Sequence, residues 1–188
     1  HDATLDRVAT AQGRVIERTA GALKDVALRG SADRIQTLPE LLGQVRARVP
    51  LVVELKSHWD GSLALVRRTG EMVADYDGPL ALMSFDPDLV AGVAELAPGV
   101  PRGIVAERES VMEKRLVLAR RLELRHLSHV DRSRPHFLSY HADGLPYGPP
   151  RVFRQAGLPV ICWTVRDAAC ASRARRYADQ ITFEGYLP

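Results

Sequence analysis

The sequence predicts an α/β fold built on a parallel sheet. From Thr37 onward, short apolar runs alternate with amphipathic segments, the pattern of strands carried back across a sheet by helices. Six such repeats can be read, and no Gly-x-Gly-x-x-Gly follows any of the strands. An eight-stranded barrel usually takes about 250 residues, so a barrel lacking its first two strands would fit the 188 residues here. A doubly wound open sheet is the alternative.

The elements follow in order. Thr37, with Glu40 three residues on, forms a capping box for a helix running to about Arg48. Leu51-Val52-Val53-Glu54-Leu55-Lys56 reads as the first strand, β-branched and preceded by Pro50. Ser62 to about Tyr76 carries apolar residues at 63, 65, 66, 73 and 76 and reads as helix. Leu80-Ala81-Leu82-Met83-Ser84-Phe85 is the second strand, after Gly78-Pro79. Asp86-Pro87 opens a helix to Leu96, with proline at its first position, where no N–H is needed. Gly103-Ile104-Val105-Ala106 and His136-Phe137-Leu138-Ser139-Tyr140 are the third and fourth strands. Val160-Ile161-Cys162-Trp163-Thr164-Val165 follows the turn signal Gly157-Leu158-Pro159, and Gln180-Ile181-Thr182-Phe183 ends the series. Helices are expected over 110–123, 149–156 and 167–178.

Composition narrows the function. The hydrophobic fraction is 46% and the charged fraction 26%, with both signs dispersed, which excludes a disordered chain. No apolar run approaches the roughly 18–20 residues of a membrane span. The net charge of +3 is too small to make a nucleic-acid binder by itself; only a patch would do so. The lysines are Lys24, Lys56 and Lys114, so the basic residues are nearly all arginine, a bias of genome composition more than of recognition. Arg67-Arg68, Arg120-Arg121 and Arg173 with Arg175-Arg176 fall on helices and read most simply as solvated faces. Cys162 and Cys170 are the only cysteines, which excludes a disulfide scaffold and reads as reduced thiols in a cytoplasmic protein.

Glu54 and Lys56 carry the strongest chemical signal. Side chains alternate across a strand, so these two share one side while Leu51, Val53 and Leu55 take the other. At the carboxyl end of a barrel strand they would stand where such enzymes place their sites. A carboxylate suits a hard cation and an ammonium suits a phosphate oxygen. A salt-bridged pair on an edge strand is the competing reading. The His1-Asp2 pair could be a general acid oriented by a carboxylate, or a solvated loop. Trp163 could line a pocket mouth or simply pack in the core. His126 and His129, three apart, could face each other on one helix, but a zinc site needs three or four ligands and no third lies nearby.

Several segments together resemble the glycerophosphodiester phosphodiesterase family. His1-Asp2-Ala3-Thr4-Leu5-Asp6-Arg7 resembles its His-Asp segment, and Gln12-Gly13-Arg14-Val15 the short turn after it. Ile35-Gln36-Thr37-Leu38-Pro39-Glu40-Leu41-Leu42 resembles its helix start, with the proline displaced by two positions. Val53-Glu54-Leu55-Lys56 resembles its Glu-Ile-Lys strand, and Ser84-Phe85 and Trp163-Thr164-Val165 follow in the right order. The resemblance implies a (β/α)8 barrel, present here without its first two strands, as one domain over residues 1–188. It implies metal-dependent hydrolysis of glycerophosphodiesters to glycerol 3-phosphate and an alcohol, with Ca²⁺ or Mg²⁺ as cofactor. His1 would be the catalytic acid for the leaving alcohol, Glu54 a metal ligand, Lys56 a phosphate contact and Trp163 part of the substrate pocket. The family's opening His-Arg-Gly and its Glu-x-Asp pair would precede His1. Ile181-Thr182-Phe183-Glu184-Gly185 only loosely matches its Thr-Asp-x-Pro ending, so Glu184 receives no role. The expected partner is a small phosphodiester, with no nucleic acid and no stable membrane insertion. The alternatives are a phospholipase D-like lyase of the same superfamily, or a phosphate- or nucleic-acid-binding domain without turnover.

Overall fold

The computed structural model describes residues 2–108 and 116–188. The chain divides into two compact units, one of residues 1–49 with 75–78, the other of residues 50–74 with 79–188.

In the first unit, helices α1 (Ala20–Lys24) and α2 (Leu38–Val45) are joined by turns and isolated bridges. Leu5, Ala9 and Val26 form its small apolar core. The expected capping box is present: the Glu40 carboxylate accepts from the Thr37 backbone N–H at 2.8 Å and closes the start of α2. Lys24 pairs with the same Glu40 at 2.6 Å. The helix ends at Val45 rather than Arg48, because Arg46 and Ala47 take left-handed backbone.

The second unit is a six-stranded parallel sheet in sequential order: β1 (Leu51–Glu54), β2 (Leu80–Ser84), β3 (Arg102–Ala106), β4 (Phe137–His141), β5 (Val160–Val165) and β6 (Gln180–Phe183). Each neighbouring pair is parallel. Helices α3 (Ala64–Val73), α4 (Pro87–Leu96), α5 (Leu118–His126), α6 (Val130–Ser133), α7 (Gly148–Gln155) and α8 (Ala168–Ala174) lie in the connections. Sequential parallel order with a helical return after each strand is the βα arrangement of a TIM-type barrel, not that of a doubly wound sheet, whose order reverses.

Strand alternation decides which residues lie under the helices. Leu82 packs with Leu55, Val66, Leu89 and Val93. Ile104, Leu138, Tyr140, Val160 and Cys162 pack with Leu127, Phe153, Ala171 and Ala174. The residues between them, such as Val52, Glu54, Met83, Val105, Ser139 and Trp163, therefore occupy the opposite face. Gly103 is needed on that face: a Cβ there would lie 2.2 Å from the ring of Phe137, its partner across the β3–β4 ladder.

Three expectations change. The helix expected over 110–123 begins at Leu118 among the described residues; positions 109–115 lie outside them. His126 and His129 do not share a helix. Leu127, left-handed at φ 55°, ends α5, and His129 caps α6. His129 is buried, a 2.9 Å hydrogen bond joins its Nδ1 to Ser133 Oγ, and burial pushes its imidazole down to about 4. It is a neutral core residue. Arg120 is not on a solvated face; it pairs with Asp86, Asp88 and Glu123, and Arg132 joins the same carboxylates of Asp88 and Glu123. Cys162 and Cys170 are free and buried, and desolvation raises the Cys162 thiol to about 11, so it is unreactive at neutral pH.

Candidate functional site

The carboxyl ends of the strands collect the chemistry on the helix-free face. β1 ends at Glu54, and Lys56 follows on the same side, because Val53 and Leu55 are drawn into the core beneath α3 and α4. Lys56 Nζ donates to Glu54 Oε1 at 2.8 Å, and the two side chains remain 47% and 21% exposed. β1 is an edge of the sheet, so both features of the competing reading, ion pair and edge position, are present. An exposed pair of this kind contributes only about 0–1 kcal/mol to stability, however, and leaves the ammonium accessible to a ligand.

A buried polar chain shapes the segment that carries Lys56. Ser84 Oγ, at the end of β2, donates to the Leu55 carbonyl at 2.7 Å. Its oxygen also accepts from the Asp86 backbone N–H at 3.1 Å. Asp86 is buried, caps α4 by accepting from the Asp88 N–H at 2.9 Å, and takes the Ser57 hydroxyl at 2.5 Å. Ser57 in turn accepts from the Trp59 N–H at 2.8 Å. The residues on both sides of Lys56, Leu55 through its carbonyl and Ser57 through its hydroxyl, are thus tied to the segment that starts α4. Ser84 of the Ser84-Phe85 pair is a structural residue on the helix side; Phe85 is the one on the site face.

Trp163 stands on β5, half-buried. Its indole N–H donates to the Ser139 carbonyl at 3.2 Å. Its ring meets Phe85 edge-to-face at 5.5 Å between centroids and His141 at 4.8 Å. The Phe85 contact has a geometric consequence. Phe85 follows β2, and two strands separate β2 from β5. In a flat sheet their ends would stand about 14 Å apart, at roughly 4.8 Å per strand. Rings in contact across that interval require the sheet to curve with this face on its inside.

Of the residues singled out in the sequence, Glu54 and Lys56 are bonded, and Trp163 lies on the same concave face. His1 lies outside the described residues; its neighbour Asp2 accepts from Arg7 at 2.6 and 2.9 Å. His141 has no signal in the sequence reading, which ends the fourth strand at Tyr140. It is the last residue of β4 and pairs in register with Trp163. The sequence marks Asp86 only as a helix start; its second role, holding the Ser57 hydroxyl beside Lys56, has no local signal.

Glu54 brings one carboxylate to this face. No group of three or more His, Cys, Asp or Glu side chains placed to hold a metal occurs among the described residues. A hard cation takes about 6–8 oxygen ligands, several usually carboxylates, so Glu54 among these residues does not make such a site. No helix among the described residues is long and apolar enough to cross a membrane.

The model of the glycerophosphoryl diester phosphodiesterase family matches residues 1–182. No curated protein is similar enough to match. Among solved structures, a phosphodiesterase of Oleispira antarctica in complex with the product sn-glycerol 3-phosphate is 19% identical, with a TM-score of 0.75, covering 97% of this chain and 73% of that one. A glycerophosphodiester phosphodiesterase of Thermotoga maritima is 20% identical with a TM-score of 0.69, covering 97% and 73%. One from Parabacteroides distasonis is 22% identical with a TM-score of 0.70, covering 92% and 70%. At these identities the likeness to the structures is one of fold.

Proposed function

The chain belongs to the glycerophosphoryl diester phosphodiesterase family, and from that premise we propose that it hydrolyses glycerophosphodiesters to glycerol 3-phosphate and an alcohol on the concave face bearing Glu54, Lys56 and Trp163. The observation that carries the placement is the accessible Lys56 ammonium beside Glu54, at the strand ends where barrel enzymes work. The Oleispira structure holds sn-glycerol 3-phosphate, the same product proposed here.

The chemistry follows from charge. Lys56 meets a non-bridging phosphoryl oxygen and stabilises the negative charge that grows there as the attacking oxygen closes on phosphorus. Glu54 holds Lys56 Nζ at 2.8 Å and so fixes where that charge stands. Trp163 gives the substrate an apolar wall. The attacking oxygen, of water or of the substrate's own neighbouring hydroxyl, gives up its proton to a general base and bonds to phosphorus as the bond to the leaving alcohol breaks. His1 supplies the proton that the leaving oxygen takes up. A cyclic phosphate formed by the second route is then opened by water to the same product. Ca²⁺ or Mg²⁺ belongs to this reading through Glu54, which would supply one of the several oxygen ligands such an ion takes.

We further read the six strands as the last six of an eight-stranded barrel, with residues 1–188 as one domain. Sequential parallel order and the Phe85–Trp163 contact across two strands support a sheet that curls as a barrel does. Residues 1–188 also cover only 70% to 73% of the three solved structures above.

Release of glycerol 3-phosphate from an alkyl glycerophosphodiester by the full-length protein tests the activity. In that assay His1→Ala is expected to lower turnover by ~10²–10⁴-fold, and to affect a nitrophenyl diester, whose leaving group needs no proton, much less. Equal losses on the two substrates would remove the acid role. No glycerol 3-phosphate from the wild type would overturn the activity itself.

A further inference from the structure

His141 has no role in the chemistry above, yet it stands inside the site. Leu138 and Tyr140 of β4 are buried under the helices, which places Ser139 and His141 on the concave face. His141 faces Trp163 across the β4–β5 ladder, with ring centroids 4.8 Å apart and planes at 77°. Phe85 also meets Trp163, at 5.5 Å between centroids. The three rings form one wall, and they differ in what they offer a ligand. Phe85 presents only carbon. Trp163 has spent its N–H on the Ser139 carbonyl. Neither ring nitrogen of His141 is hydrogen-bonded among the described residues, so His141 is the polar member of the wall. Behind it on the same face, the Ser139 hydroxyl is buried with no hydrogen-bond partner among the described residues.

A glycerol moiety has a carbon skeleton that packs on rings and hydroxyls that need partners once they leave water. We propose that His141 is a specificity-determining residue, hydrogen-bonding a glycerol hydroxyl while Lys56 takes the phosphate. This rests on the phosphodiesterase reading and adds to it a residue that distinguishes a glycerophosphate from a phosphate ester lacking hydroxyls. The wall packs the carbon face of either ligand, whereas His141 rewards only the hydroxylated one.

The test is calorimetric titration of the full-length protein with two ligands of equal charge, sn-glycerol 3-phosphate and ethyl phosphate. The wild type is expected to bind glycerol 3-phosphate about tenfold more tightly, the worth of roughly one hydrogen bond. His141→Phe keeps a ring against Trp163 and removes the nitrogens. It should erase the preference by weakening glycerol 3-phosphate about tenfold, with ethyl phosphate within about twofold of wild type. His141→Gln, which restores an amide near the Nε2 position, should recover part of the preference. Equal weakening of both ligands would assign His141 to packing or to the phosphate and overturn the proposal. So would a preference untouched by either variant, or no preference in the wild type. If the wild type still turns over a glycerophosphodiester in those cases, the phosphodiesterase reading survives alone; binding of neither ligand together with no turnover would end both.

Discussion

Lys56→Met is expected to lower kcat/KM by ~10²–10³-fold while leaving the melting temperature nearly unchanged. The size follows from removing one charged contact to a phosphoryl oxygen on which negative charge grows in the transition state. The unchanged stability follows from exposure. The Lys56 side chain is 47% and the Glu54 side chain 21% exposed, so losing their ion pair costs about 0–1 kcal/mol. For a domain of this size that is a shift of roughly 2–4 °C or less. Methionine keeps most of the aliphatic stem, so packing is retained. A large fall in melting temperature with turnover intact would assign the pair to the edge of the sheet and leave the phosphate unheld.

Glu54→Gln is expected to cost as much or more, at least ~10²-fold in turnover, again with little change in stability. The amide preserves shape and still offers an oxygen, but it removes the charge that holds Lys56 Nζ at 2.8 Å and that would attract a cation. The metal can be examined separately. Glu54 is the one carboxylate this reading assigns to the cation, and the described residues contain no group of three suitable ligands. Residues 1–188 alone are therefore expected to bind Ca²⁺ and Mg²⁺ weakly in a calorimetric titration, since water would supply most of the shell. Tight binding by these residues, or full turnover by the Glu54→Gln protein, would contradict the assignment of Glu54.

Much of this was legible along the chain, for reasons that mark where legibility ends. β5 and β6 have the bounds expected from sequence because their apolar, β-branched runs are closed by turn residues. The Glu54–Lys56 pairing was legible because a two-residue repeat on a strand fixes a shared side. The break at Leu127 was not, since leucine carries no signal for left-handed backbone and the turn is held by packing. Arg120 looks like any helix-surface arginine until Asp86 and Asp88 are brought to it by the fold. His141 was hidden by one residue at a strand end, where periodicity is weakest. The Phe85–Trp163 contact arises only from the curvature of the whole sheet, a property no single segment encodes.

The most direct measurement is ³¹P NMR of the full-length protein acting on glycerophosphocholine with Mg²⁺ or Ca²⁺ present, followed to the end of the reaction. The account predicts that the diester resonance is replaced by that of glycerol 3-phosphate, with choline released. Accumulation of phosphocholine with free glycerol would mean that the other ester bond is cleaved, and an unchanged diester would mean that this face does not carry the reaction; either result would contradict it.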